Sequence, residues 1–337
     1  MRYSILLFFC LISHSLFAQV KTDDIWGSWV KTKLTFKDGE ELPEENILRS
    51  TYVKYTFSKS DQMNISQVYH DKGSQFLFEI SNNEIIVKTT AGSPINGFRI
   101  EELGLNKMVL LQKGYQGFDD PDALKYTFVR ETAFQNSLPL NAGDIYSVTA
   151  VDTIYKETPK IYASYNKGSF QTYLYAQMGA SYHSDTIGNH LAASFIVSKN
   201  GVADSLKILE GMGPGFDKAF GKAFNKDKND WKPAVLNGKY VAVQMFVELS
   251  YGTFGPAFSA SQYTDKANIA FKQQDYRLAL YYYDQALKNM PNDKENLYNR
   301  GICKKALGNL AGACEDWNKL KELGGKEADD LLLKYCR

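Results

Sequence analysis

The C-terminal part of the chain repeats itself at a spacing of 34 residues. Tyr263, Leu297 and Leu331 share one phase of the repeat, as do Ala267 and Gly301, Ala279 and Ala313, and Tyr283 and Trp317. This period belongs to paired helices stacked into a solenoid, with small residues where two helices touch and aromatics filling the gaps between pairs. Over that stretch the chain is committed to an all-helical stack. Arrays of this kind bind partners and rarely do chemistry.

The chain has 337 residues, too many for one ordinary core, so two or three domains are expected. Its 39 basic and 38 acidic residues nearly cancel, which removes the electrostatic footprint that nucleic acid or an anionic membrane surface would demand. With 44% hydrophobic and 23% charged residues it reads as globular.

Residues 1–18 read as an export signal. Arg2 precedes an apolar run from Ile5 to Ile12, and cleavage is expected after Ala18. Ser13 and His14 stop that run far short of the roughly 20 residues a spanning helix needs. Cys10 lies inside the run, not at its end, which argues against a lipid-modified cysteine. The mature chain is therefore expected to be exported and soluble, with no integral membrane span. Beyond Cys10 only Cys303, Cys314 and Cys336 remain, all in the helical stretch.

Residues 22–131 alternate as an antiparallel meander does. Val53, Tyr55 and Phe57 alternate with Lys54, Thr56 and Ser58, and Phe76, Phe78, Ile85, Val87, Met108, Leu110, Tyr126 and Phe128 continue the pattern. Turn residues fall between them, as at Ser81-Asn82-Asn83. About eight strands joined by short loops close most simply into an up-and-down barrel. Gly27-Ser28-Trp29 at the entrance to the first strand resembles the G-x-W signature of lipocalins and their bacterial relatives, in which the Trp plugs one end of the barrel. That resemblance implies Gly27 and Trp29 as the plug and a cavity for a small apolar ligand. The alternative is a barrel filled by Trp29, Phe57, Phe76 and Phe78.

Residues 132–152 show no clear period and read as a linker. From 153 to 253 the signals are those of a small α+β unit: a strand at Leu191–Val197, a turn at Lys199-Asn200-Gly201, a strand at Val202–Glu210, a helix at Phe216–Phe224 and a strand at Tyr240–Leu249. Asn200-Gly201, then Gly213-Pro214-Gly215-Phe216, Trp231-Lys232-Pro233 and Asn237-Gly238-Lys239 resemble the C-terminal domain of TonB over about 95 residues. The resemblance implies a periplasmic domain whose exposed strand edge pairs with a short segment of an outer-membrane transporter. Tyr240, Val241, Val243, Met245 and Val247 would form that edge. TonB itself carries an inner-membrane helix and a long Pro-rich spacer, whereas this chain has nine prolines in all, so a reused interaction module is the expectation. Gly211, Gly213 and Gly215 lack the Lys-Ser or Lys-Thr pair of a phosphate-binding loop.

In residues 261–337 two helix pairs resemble tetratricopeptide (TPR) repeats, with the family's small, aromatic and proline positions at Ala267, Ala279, Tyr283, Ala286 and Pro291. The second copy is looser, with Leu320 and Gly325 at the last two of these positions. A capping helix is expected from Lys326 to Tyr335. Neighbouring helices in such a stack run antiparallel, so Cys314 should meet Cys336, closing a loop that contributes about 3 kcal/mol. Cys303 is the alternative partner. Tyr283 is expected in the core, and Tyr281 and Tyr282 as candidate contacts of the array with a peptide.

The fold class expected is thus multidomain: an antiparallel β-barrel, a central α+β domain and an all-α array. His14, His70, His183 and His190 are scattered without ligand or relay spacing, so neither a metal, a cofactor nor catalysis is expected. The leading function is a non-enzymatic adaptor with protein partners in the bacterial envelope. The alternative is a carrier or sensor of a small apolar ligand held in the barrel.

Overall fold

The computed structural model describes residues 22–43, 46–149, 152–178, 190–250 and 260–336. The expected signal peptide, with Cys10 and His14, lies outside these residues, as does His183. The chain divides into two compact units, one ending at Glu131 and the other holding Val68–Gly73 and Thr132 onward.

The first unit is a closed antiparallel barrel in strict chain order. After a 3-10 turn at Thr22–Ile25 come β1 (Gly27–Phe36), a short α1 (Ile47–Ser50), β2 (Lys54–Ser58), β3 (Gln62–Ser66), β4 (Ser74–Ser81), β5 (Glu84–Lys88), β6 (Pro94–Leu103), β7 (Lys107–Gln112) and β8 (Leu124–Arg130). Strand β8 returns onto β1, from Trp29 opposite Arg130 to Phe36 opposite Leu124. Closure leaves no unpaired edge. Asn82 and Asn83 both adopt positive φ, 52° and 62°, which is the geometry a two-residue turn between β4 and β5 requires.

The barrel interior is apolar and aromatic. Tyr55, Phe57, Met63, Phe78, Phe98, Met108 and Phe128 are buried together. The Tyr55 ring centroid lies 4.8 Å from that of Phe128 and 5.9 Å from that of Phe98, and Phe57 lies 5.1 Å from Phe78. At the entrance of β1 the fully buried Trp29 donates its indole N–H to the Ile25 carbonyl at 2.7 Å. The Arg130 guanidinium sits 3.8 Å above the Trp29 ring and donates to the carbonyls of Trp26 and Asp24. Gly27 stands at φ 107°, where an L side chain is strained and a Cβ would meet Arg130 at 3.2 Å.

The second unit is built on a sheet in the order β13-β12-β16-β10-β9, with β15 also on β16. It begins with α2 (Glu131–Ser137), a 3-10 turn at Ala142–Asp144, β9 (Ile145–Val148) and β10 (Thr153–Lys156). The segment 132–152 is therefore more than a linker, because it supplies an outer strand of this sheet. Then follow β11 (Ser164–Tyr165), α3 (Phe170–Met178), β12 (His190–Val197), β13 (Ala203–Glu210), α4 (Pro214–Lys226), β14 (Trp231–Lys232), β15 (Ala234–Leu236) and β16 (Lys239–Ser250). The helices are α5 (Ala260–Lys272), α6 (Tyr276–Asn289), α7 (Lys294–Ala306), α8 (Leu310–Glu322) and α9 (Asp329–Tyr335).

Alternation along β12 and β16 gives this sheet two different faces. Leu191, Ala193, Phe195 and Val197 stand opposite Leu249, Val247, Met245 and Val243, and all eight bury against Phe170 and Leu174 of α3 and Phe216, Phe220 and Phe224 of α4. The other phase, His190, Ala192, Gln244, Phe246 and Glu248, is the one an isolated sheet would turn to water. Here Ala192 and Phe246 pack with Tyr263, Tyr281 and Tyr282 of α5 and α6. The unit has three layers: helices, sheet, array.

Two expectations change as a result. The segment Tyr240–Val247 is not a continuous open edge, because β16 pairs β12 from Val243 to Ser250, β15 from Lys239 to Val241 and, in parallel, β10 from Ala242 to Gln244, so that Val243 and Gln244 are flanked on both sides. Val243 and Met245 are core residues, and of the five only Tyr240 is exposed. Tyr281 and Tyr282 are not surface contacts either, at 3% and 1% exposed, because α6 lies against the second face of the sheet.

Candidate functional site

The array is assembled by short-range rules. Asp275, Asp293 and Asn309 each cap a helix, accepting the backbone N–H of Leu278, Asn296 and Gly312 at 2.8–3.1 Å, a device that contributes about 1 kcal/mol per helix. Ala267, Ala279 and Ala313 are fully buried at the helix contacts. Gly301 has no alternative, since a Cβ there would stand 2.3 Å from the Trp317 indole nitrogen. Cys314 and Cys336 form a disulfide with Cα atoms 5.6 Å apart, which ties α9 to α8. Cys303 is buried and reduced, and burial, reinforced by the negative charge of Asp284, pushes its thiol up to about 12. It is inert at neutral pH.

Between the helices lies an ionic cluster in which Asp316 and Lys304 are buried and Arg300 and Asp284 half-buried. Arg300 on α7 makes a two-pronged contact with Asp316 on α8 at 2.6 and 2.9 Å and reaches Asp284 on α6 at 2.9 Å. Lys304 pairs with Asp316 at 2.8 Å. Burial disfavours the charged form of Asp284, but the Arg300 guanidinium, with Lys156 behind it, outweighs that and holds the carboxyl below its ordinary range. The cluster fixes the register of three helices against one another.

A second polar cluster joins sheet and array. Tyr263 of α5 donates to Glu248 of β16 at 2.8 Å, and Tyr281 of α6 donates to the same carboxylate. Lys266 of α5 donates to Glu210 of β13 at 2.9 Å. His190 of β12 stands between, with Nδ1 3.3 Å from Glu210, Nε2 3.7 Å from Glu248 and the Tyr282 hydroxyl 3.4 Å away. Burial lowers the His190 pKa, but the two glutamates overcome this and raise it. Burial likewise acts upward on Glu210 and Glu248, and hydrogen bonds from His190, Lys266 and the tyrosines bring both below the ordinary glutamate value. With His190 protonated the four charges balance, two positive and two negative. The array is therefore fastened to the sheet by a neutralised, hydrogen-bonded core.

Sequence reasoning placed His190 among scattered histidines and missed this cluster. Its one local signal was the polar phase of β12, β13 and β16, which reads equally as a wet face. Gly27 and Trp29 stand at the start of β1, with the Arg130 guanidinium over the indole ring. No set of three or more metal-ligating side chains comes together among the described residues.

No family model matches the chain. Over 106 residues, 32% of its length, the chain is 31% identical to Hsp70-Hsp90 organizing protein 3 of Arabidopsis thaliana, and the match spans 18% of that protein. The C-terminal helices are TPR-like, in keeping with this similarity and with their 34-residue period.

Proposed function

We propose that this chain is an exported, non-enzymatic adaptor that binds protein partners through its TPR-like array. The observation that carries the reading is the array's construction: α5 and α6 are fastened to a sheet on one side and α9 is tied by a disulfide on the other. Two helix pairs alone are marginal, because each buries its apolar face only against a neighbour. Caps at both ends convert them into a fixed surface. The similarity to a protein that organizes Hsp70 and Hsp90 supports a partner-assembling role of the same general kind.

The bacterial envelope is the proposed setting, with the periplasm as compartment. The signal-like residues 1–18 and the TonB resemblance of residues 153–253 support it, and a disulfide fits an oxidising compartment. No described helix is long and apolar enough to cross a membrane. Pairing with an outer-membrane transporter along Tyr240–Val247 is no part of the proposal, since the chain's own strands flank Val243 and Gln244 on both sides and the side chains of Val243, Met245 and Val247 are buried. The carrier reading needs room inside the barrel, and the ring contacts of Tyr55, Phe57, Phe78, Phe98 and Phe128 weigh against it.

Crosslinking mass spectrometry in native envelopes tests the adaptor. Partner crosslinks should fall on exposed array lysines such as Lys272 and Lys294, and should weaken when Ile269, 57% exposed on α5, is changed to Asp. A chain crosslinked to partners solely through its barrel, or to none, overturns the reading.

A further inference from the structure

Helix α4 carries Lys218, Lys222 and Lys226 at four-residue spacing, which lines them up on one face. Like charges at this spacing repel and weaken a helix by a few tenths of a kcal/mol per pair, so an exposed helix ordinarily intersperses carboxylates. Here the two acids of the region are engaged elsewhere. Asp217 turns back to accept the Met212 backbone N–H at 3.0 Å. Asp227 lies close enough to Lys226 to feel its charge, but its carboxylate is held by the Tyr165 hydroxyl and by Lys167 at 2.9 Å. Lys226 reaches instead to the side-chain carbonyl of Gln177 on α3, at 2.7 Å. None of the three lysines makes an ion pair with a carboxylate among the described residues, whereas Lys167, Lys199 and Lys266 of the same unit each do.

The row borders a groove of about 440 Å³ between α3 and α4, with Met178, Ala219 and Ala223 in its floor. Met178 and Ala223 are recessed, at 3% and 5% exposed. A bilayer-binding face presents apolar side chains outward beside its lysines. This groove presents ammonium groups outward and sinks its apolar atoms, so it suits a chain that lies along it. Four residues of helix rise about 6 Å, which sets the interval between successive ammonium groups.

We propose that the α3–α4 groove is a docking site for an acidic segment of a partner protein whose carboxylates recur at about one helical turn. The site rests on the adaptor reading and lies on the opposite side of the sheet from the array. Its binding is electrostatic first, with a shallow apolar contribution, and weakens steeply with salt.

The test uses the full chain and a fluorescein-labelled, end-blocked peptide with Glu at every fourth position. A peptide of identical composition with its glutamates clustered serves as comparison. The patterned peptide should bind the wild type, and its affinity should fall about tenfold or more in Lys218→Glu/Lys222→Glu. It should stay within about twofold in Lys232→Glu/Lys239→Glu, which changes net charge equally at exposed positions away from the groove. All four lysines are exposed, so these variants should fold as the wild type does. Equal loss in the two variants, equal binding of the two peptides, or binding of anionic phospholipid vesicles in place of the peptide each overturns the proposal. Failure here with array crosslinks intact leaves the adaptor standing. Loss of array crosslinks with peptide binding intact removes the adaptor and keeps the groove.

Discussion

The barrel and the sheet–array unit solve the same problem in opposite ways. In the barrel every strand pairs with its neighbour in sequence, the one long-range pairing is β8 onto β1, and the interior holds rings and aliphatic chains. In the second unit the sheet order departs from chain order, β10 runs parallel to β16, and charged groups are buried at two levels. A core of apolar groups tolerates small errors of alignment, because dispersion and the hydrophobic effect have no direction. Buried ionic clusters tolerate far less, since one missing partner leaves a charge uncompensated. Stability in the barrel should therefore follow volume, and in the second unit it should follow pairing.

The largest effect that sharpens this contrast is expected from Trp29→Ala. Removing the fully buried indole should cost about 3–5 kcal/mol and lower only the barrel transition in urea unfolding followed by hydrogen exchange. Loss spread evenly over both units would break the distinction. Next comes Asp316→Ala, which takes the ion-pair carboxylate from Lys304 and leaves Arg300 with Asp284 alone, and should cost roughly 3 kcal/mol in the array while leaving barrel amides protected. A replacement that also removes the cations should recover much of that loss. Reduction of Cys314–Cys336, or Cys336→Ser, frees α9 and should cost about 2–3 kcal/mol, read as lost exchange protection in α8 and α9 first.

A smaller effect separates the units by pH. The His190 pKa is raised in the folded state above its ordinary value of 6.5. The stability it contributes is fully present below that ordinary value and is lost as pH rises through the folded value. Glu210 and Glu248 are lowered from 4.5, so their contribution is present above 4.5 and is lost as pH falls through their folded values. Docking of the array should be firmest between these limits and loosen on either side of them. His190→Gln should abolish the alkaline slope, and an unchanged slope would assign it to another group. The smallest expected effect is none: native mass spectrometry of the purified chain should give the polypeptide mass without an added apolar ligand. A retained ligand would reopen the barrel as a carrier.

How far the sequence could be read followed the range of the contacts. Residues 27–130 showed their strands because alternation and two-residue turns such as Asn82-Asn83 are local properties. The helix pairs showed through their period, and Cys314 and Cys336 were brought together by the antiparallel rule for adjacent helices. Strand β16 illustrates the limit. Its alternation gave the strand and its apolar face, but whether its far side was open depended on β9 and β10, four-residue strands in and beside a stretch without clear period. Tyr281 and Tyr282 were misread for a related reason: a helix has a second buried face only when something else covers it, and no residue within α6 reports on the sheet.

The sequence by itself determined the elements and the caps, the aromatic filling of the barrel and the helical stack, because turn geometry, side-chain period and volume act over a few residues. Tertiary structure alone decided that the array is docked and not free, that the polar phase of the sheet is an interior, and that His190 stands between two glutamates. Those outcomes depend on groups far apart in the chain being desolvated together. The free energy of a buried charge is fixed by its partners and not by its neighbours in sequence.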